Sequence, residues 1–306
     1  MMVFVSNSTG AFFERSLTQM GNLRNSLESL QTQIASGVRI ERGSDDPIGA
    51  ARLRALTRLE QRGATEAENA ARLGQDLTES ADAIGDVVEI LQRARELAVA
   101  ASSDTLGADG RAAIADELEQ MGEELFARAN SRSITDAPLF AGTAGNPAYI
   151  RNAAGMVSYN GNGQVGTVPV APGIDIDRGV TGPAVFDFNL AGAPTNTFAV
   201  IGDLAAALRG GVPDPAQGAR DAIAGLDAGL DNANRSQTVI GARLAWVESI
   251  QQDQQVRAVN IAEKRSEIGD TDVADTIVRL QQTLTALEAS QASFTRVSSL
   301  TLFDVI

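Results

Sequence analysis

The sequence predicts a mainly α-helical protein: a long antiparallel helical bundle or coiled coil made by the N- and C-terminal segments, with an inserted β-rich domain. Three observations predict this class. Apolar residues recur with heptad spacing near both ends of the chain. Residues 48–137 and 216–306 contain no proline, and such stretches can form continuous helix. Eight of the nine prolines lie between these stretches, in a segment that is poor in charge and rich in glycine.

The N-terminal segment carries a narrow apolar stripe that is typical of a coiled-coil seam. Its residues are separated by steps of three and four, apart from one skipped position near the N-terminal end. The stripe consists of Phe13, Leu17, Met20, Leu23, Leu27, Leu30 and Ile34. An ordinary globular helix would carry a broader apolar face. From spacing alone, two amphipathic helices packed in an ordinary bundle remain an alternative.

The C-terminal segment carries a second stripe with the same spacing. It consists of Val273, Ile277, Leu280, Leu284, Leu287 and Phe294, with Gln291 at the remaining heptad position. Asp270 and Asp272 precede this stripe, where carboxylates can cap the first turn of a helix. We therefore expect a helix from about this point and a seam between the two ends of the chain.

Further helical stripes between the two ends predict a rod. They occupy residues 73–91, 114–125 and 223–250. Asp46 followed by Pro47 is typical of an N-cap and the first helical residue. Trp246 lies beside Val247 on one of these stripes, and we expect its side chain in the core.

The middle of the chain alternates with the period of a β-strand. Phe186, Phe188 and Leu190 would share one face, with Asp187 and Asn189 on the other. Glycines and prolines separate several such runs. We therefore predict short antiparallel strands within residues 138–200.

Composition excludes several classes of function. The chain has 39 acidic and 25 basic residues among 306, a net charge of −14, which argues against nucleic acid and anionic membranes as partners. It has no Cys and no His, which excludes disulfides, Cys- or His-ligated zinc and His-dependent triads. Residues 1–13 lack the features of a signal peptide and no run of 18 apolar residues occurs, so we expect neither a cleaved signal nor membrane insertion.

Two patterns resemble ligand sites, and we interpret both as structural. Gly161, Gly163 and Gly166 match the dinucleotide fingerprint, which requires a helix directly after the glycines. Pro169 and Pro172 preclude that helix, so we predict a β-hairpin turn and keep a nucleotide-binding protein only as an alternative. The aspartate clusters lack the frame of a calcium loop and are interpreted as helix caps. We predict no catalytic residues, no cofactor and no metal site.

Ser36-Gly37-Val38-Arg39-Ile40 and Ser44-Asp45-Asp46-Pro47 form an N-terminal signature. Together with four further segments, they resemble the bacterial flagellin superfamily, and within it the family of hook–filament junction proteins. The further segments are residues 138–143, 240–244, 268–274 and 299–306. Flagellins usually have a residue other than proline at the position of Pro47. The resemblance and the proline distribution together predict three domains. These are a terminal coiled-coil assembly domain (1–42 plus 265–306), a helical rod domain (43–136 plus 216–264) and an inserted β-rich outer domain (137–215).

The resemblance implies a structural subunit that joins the flagellar hook to the filament outside the cell, after type III export without a cleaved signal peptide. The implied partners are neighbouring copies in a ring, the preceding hook-associated protein, flagellin and a flagellar export chaperone. The predicted assembly interface comprises Phe13, Leu17, Met20, Leu23, Leu27, Leu30, Ile34, Ile277, Leu280, Leu284, Leu287 and Phe294. Flagellin itself and a soluble coiled-coil adaptor remain alternatives.

Overall fold

The computed structural model describes residues 4–303 of the chain, with side chains described from residue 10 to residue 298. The helices are α1 (Phe4–Ser36), α2 (Pro47–Ala101), α3 (Ala108–Ala129), α4 (Gly182–Phe186), α5 (Thr197–Ala206), α6 (Pro215–Gly269) and α7 (Val273–Phe303). The strands are β1 (Tyr149–Arg151), β2 (Val157–Tyr159), β3 (Thr167–Ala171), β4 (Ile174–Asp177), β5 (Asp187–Leu190) and β6 (Ala193–Asn196). The predicted class, mainly α with long terminal helices and a strand-containing middle, is confirmed. Residues 299–306 and most of residues 1–13, which entered the sequence predictions, lie outside the described side chains.

The chain divides into two compact units. The first comprises Met1–Gln61 with Arg257–Ile306, and the second comprises Arg62–Val256. The first unit is therefore built from two segments that are distant in sequence, whereas the second is one continuous segment. The finer division into three domains stays a prediction.

In the first unit, α1 and α7 pack along each other in antiparallel directions. The rings of Phe13 and Phe294 meet edge to face, with their centroids 5.2 Å apart. Toward the other end of the pair, Val38 and Asp270 form an antiparallel β-bridge. The predicted antiparallel pairing of the two ends is therefore confirmed.

Aspartate side chains cap the first turns of two helices in the first unit, as the sequence predicts. Asp46 Oδ1 accepts a hydrogen bond of 2.8 Å from the backbone N–H of Gly49, and α2 starts at Pro47. Asp272 Oδ1 accepts one of 3.1 Å from the N–H of Asp275 in the first turn of α7. Both bonds satisfy N–H groups that have no partner inside the helix.

In the second unit, α3, α5 and parts of α2 and α6 enclose a core of fully buried aliphatic side chains. Arg93 pairs with Glu117, and Arg128 pairs with Asp86, so α3 runs antiparallel to α2. The largest aliphatic side chains in this core are Leu73, Leu77, Ile84, Leu91, Leu118, Leu125, Ile201, Leu204 and Leu226. Trp246 is an exception to the prediction, because almost half of its side chain is exposed. Its neighbour Val247 is buried, so α6 turns Val247 inward and Trp246 toward its surface.

An aromatic cluster joins the strand-containing segment to this core. Phe186 lies at its centre and is fully buried. Its ring centroid is 5.7 Å from that of Phe140, 5.3 Å from Tyr149 and 5.2 Å from Phe198. Four of the 13 aromatic residues of the chain thus pack together where short strands and helices meet.

The six strands form three separate antiparallel hairpins, in which β1 pairs with β2, β3 with β4, and β5 with β6. The prediction of a hairpin turn at Gly161–Gly166 is wrong. This segment connects β2 to β3, which belong to different hairpins. It lies against the segment before β1, where the N–H of Asn162 donates to the carbonyl of Ala141 over 3.1 Å. A strand, rather than a helix, follows the glycines, so the nucleotide-binding alternative loses its basis.

Asp187, at the start of β5, gives a pH-dependent prediction. Burial raises the pKa of this carboxyl group, although a hydrogen bond from the Tyr149 hydroxyl partly opposes the shift. A raised pKa in the folded state means that folding favours the protonated carboxyl group. The free energy of unfolding therefore falls as the pH rises through that pKa and the group becomes ionised. Asp187→Asn should therefore raise the Tm at pH 7 and give no gain near pH 3, measured by thermal melting. Asp175→Asn, on the exposed face of β4, is the control and should change neither value. An equal gain for both variants at pH 7 would contradict the prediction.

Candidate assembly surface

The seam between α1 and α7 follows heptad spacing without interruption. Its residues are buried or half-buried and recur in steps of three and four. On α1 they are Phe13, Ser16, Met20, Leu23, Leu27, Leu30 and Ile34, and on α7 they are Thr276, Leu280, Thr283, Leu287, Ser290, Phe294 and Val297. Such regular spacing is that of a two-helix coiled coil. The seam contains nine of the twelve predicted interface residues.

Three predicted interface residues lie outside this seam. Leu17 is 57% exposed, Ile277 41% and Leu284 39%. Their places in the seam are occupied by Ser16, Thr276 and Thr283, each one residue away. A prediction that follows only apolar residues passes over these hydroxyl side chains, and this explains the difference.

The hydroxyl groups are compatible with the seam because their own helix satisfies them. The Thr276 hydroxyl donates to the carbonyl of Asp272 over 2.6 Å, and that of Thr283 donates to Arg279 over 2.8 Å. Ser290 does the same to Ala286 over 2.7 Å. A satisfied hydroxyl does not incur the full cost of burying a polar group.

The residues displaced from the seam form an exposed apolar stripe. On α7 it comprises Val273, Ile277 and Leu284, spaced by four and seven residues, and α1 contributes Leu17. We call these four residues the outer stripe. Apolar side chains grouped on one surface mark interaction sites more often than scattered ones do. The first unit therefore has one apolar face that is covered within the chain and one that is open.

Arg39 fixes the ends of the helices next to this surface. Its Nε and Nη2 donate to the carbonyl of Ile268 over 3.1 and 2.6 Å, and Nη2 also reaches Asp46 Oδ2 at 3.3 Å. Its backbone N–H donates to Gly269 over 2.7 Å. Carbonyls at a helix C-terminus lack partners within the helix, and Arg39 satisfies two of them at the end of α6, those of Ile268 and Gly269. The pKa of Asp46 is lowered, chiefly by the hydrogen bond from Gly49 and also by Arg39.

Sequence reasoning did not assign this role to Arg39. Its position in the signature Ser36–Ile40 marked it only as part of a resemblance. The contact joins residues that are 229 positions apart in the sequence, so local spacing could not reveal it. The only local signal of a turn here was the glycine at position 37, which the structure places at a φ of +72°.

Within the part of the chain that the structure describes, no group of three or more carboxylates has a metal-binding arrangement. No helix among the described residues combines the length and apolarity that crossing a bilayer requires.

Known proteins match the chain over its whole length. The model of the bacterial flagellin N-terminal helical region matches residues 9–144. Flagellar hook-associated protein 3 of Escherichia coli (strain K12) is 28% identical over 320 residues, which cover 97% of this chain and 98% of that protein. The chain is therefore similar to a hook-associated protein over nearly all of its length, and to flagellins over its N-terminal helical region. A flagellin of Halalkalibacterium halodurans is 36% identical, but over 35% of this chain and 39% of that protein.

The fold of this protein also has a solved counterpart. A flagellar hook-associated protein from Vibrio parahaemolyticus superimposes with a TM-score of 0.69 at 22% identity, covering 74% of this chain and all of that one. The likeness shows a shared fold. The proteins that match the chain are structural flagellar proteins and not enzymes.

Proposed function

We propose that this protein is a member of the bacterial flagellin superfamily and the structural subunit that joins the flagellar hook to the filament. The observation that carries the proposal is the extent of the match to hook-associated protein 3, which covers nearly all of both chains. Two flagellins match only 35% and 47% of this chain. A flagellar filament core protein of Treponema phagedenis matches 90% of it at 26% identity, so a filament subunit is the alternative function.

The two faces of the α1–α7 pair suit a subunit of a tubular assembly. The seam holds the two helices together within one copy. The outer stripe then meets neighbouring copies, which form a ring. Each fully buried Val, Leu or Ile contributes roughly 1.5–3 kcal/mol, so the four residues of the outer stripe in each copy would stabilise the assembly substantially.

The predicted interface residues have different roles, depending on how deeply each is buried. Leu17, Ile277 and Leu284 make direct contact with neighbours in this proposal. The other nine residues act indirectly, because they keep α1 and α7 paired and so present the outer stripe as one surface.

The remaining partners follow from a position at the junction. The preceding hook-associated protein lies on one side of the ring and flagellin on the other. Before assembly, the subunit passes through the type III export channel without losing a signal peptide, and an export chaperone covers its apolar stripe in the cell. The open apolar surface supports this, since such a surface promotes aggregation when it is left uncovered.

Gold-labelled antibody against the purified chain, applied to isolated hook–filament complexes, tests the location. We expect label in a short zone between hook and filament. Label distributed along the whole filament would show that the chain is a flagellin and would contradict the proposal. Antibody against the hook protein provides the control for the position of the boundary.

A further inference from the structure

The first turns of α2 carry a basic surface that has no acidic partner. Arg52, Arg54 and Arg58 are exposed, and no acidic residue occurs between Pro47 and Leu59. Within the described side chains, none of these three guanidinium groups takes part in a hydrogen bond or an ion pair. In contrast, Arg265 on α6 of the same unit pairs with Glu60.

This arrangement of arginines lowers the stability of the helix that carries it. Arg54 and Arg58 are one turn apart, and like charges at this spacing weaken an isolated helix. Because the chain supplies no neutralising carboxylate, the arrangement is better suited to a state in which another molecule supplies one.

Apolar residues accompany the arginines. Ile48 is 69% exposed and Leu59 is 49% exposed. Arginine beside exposed apolar side chains is a composition that protein–protein interfaces favour. Ile48, Arg52 and Leu59 lie on one side of α2, and Arg54 and Arg58 lie on the side next to it. We call these five residues together the basic face.

The complementary charge lies in the second unit of the chain. Residues 62–256 contain 26 acidic residues and 13 arginines, whereas the first unit is almost neutral, with 13 acidic and 12 basic residues. Asp82 and Glu89 are exposed on α2, one heptad apart, and neither forms an ion pair within the described residues. The second unit thus offers unpaired carboxylates on a helical surface.

We propose that the basic face docks on the acidic surface around Asp82 and Glu89 of a second copy of this chain. The inference rests on the proposed function, which places copies of the chain side by side. The two surfaces differ, so the contact is heterologous, and a heterologous contact generates a ring or a helix rather than a closed dimer. Nucleic acid or an anionic membrane would also attract arginines, but the net charge of −14 would repel both.

Photocrosslinking in assembled flagella tests this contact. Leu59 is replaced by the photoreactive amino acid benzoylphenylalanine in a strain with no other copy of the gene, and the linked peptides are identified by mass spectrometry. We expect a product of two copies, joined to a peptide that contains Asp82 or Glu89. R54E/R58E should lower its yield by roughly tenfold, because two exposed attractions become repulsions. Adding D82R/E89R to the same chain should restore the yield, since both surfaces then carry reversed charges.

Matched controls separate this contact from general effects of charge. R235E/R257E makes the same change in net charge at two other exposed arginines and should leave the yield within about twofold. The yield should also fall as NaCl rises from ~0.1 to ~1 M, over which the Debye length shrinks from about 10 to about 3 Å. Thermal melting of each purified variant verifies that it folds.

The outcomes distinguish this inference from the proposed function. If the chain is present at the junction but the crosslink reaches another protein, a lipid or a nucleic acid, only the docking proposal is overturned. The same holds if R54E/R58E leaves the yield of the two-copy product unchanged. If the chain is missing from the flagellum altogether, the proposed function fails as well.

Discussion

Leu284→Asp should abolish filament assembly while the α1–α7 pair stays folded in the isolated chain. Leu284 lies in the outer stripe, outside the seam, and is 39% exposed. In the free chain the new carboxylate stays in water and costs little. In the assembly it would be buried without a partner, which costs about 3–5 kcal/mol and is enough to lower incorporation by more than a hundredfold.

The measurements are filaments per cell by electron microscopy, swimming motility, and helix content of the purified variant by circular dichroism. Leu27→Asp is the matched control, because Leu27 lies in the seam and is only 7% exposed. Its carboxylate should separate α1 from α7 in the free chain, at a cost of roughly 4 kcal/mol, and lower the helix content. Normal filaments in a strain that carries only Leu284→Asp would contradict the role of the outer stripe.

Phe186→Ala should destabilise the second unit more than any other single truncation that we describe. The ring is fully buried and contacts those of Phe140, Tyr149 and Phe198. Truncating a buried Phe to Ala costs about 3–5 kcal/mol, which in a unit of this size lowers the Tm by roughly 10 °C.

Calorimetry of the purified variants measures this effect. Met156→Ala is the control in the same unit, since Met156 is largely exposed and its truncation should cost less than ~0.5 kcal/mol. Equal shifts in Tm for the two variants would show that the aromatic cluster does not hold the strand-containing segment in place.

The helical part of the fold could be predicted because its signals are local. Heptad spacing indicated α1 and α7, and Asp46 and Asp272 indicated where helices begin. The side of α7 that faces α1 could not be predicted equally well. Thr276 and Thr283 occupy the seam because each hydroxyl bonds its own helix, and a pattern of apolar residues does not register this.

The contacts between distant segments were the least predictable. Strand alternation indicated strands in the middle of the chain, but the pairing into three separate hairpins depends on how the segment packs as a whole. The bond from Arg39 to Ile268 likewise requires two segments that only the fold brings together. Trp246 shows the same limit, since its helical stripe did not reveal that α6 leaves it half-exposed.

Electron microscopy of cells that lack this gene, combined with an assay of flagellin in the culture medium, tests the central claim most directly. A junction subunit is needed before flagellin can attach to the hook. We therefore predict hooks without filaments and flagellin released as monomer, with both defects reversed by the intact gene. Intact filaments on the deletion strain, with no flagellin lost to the medium, would contradict the account.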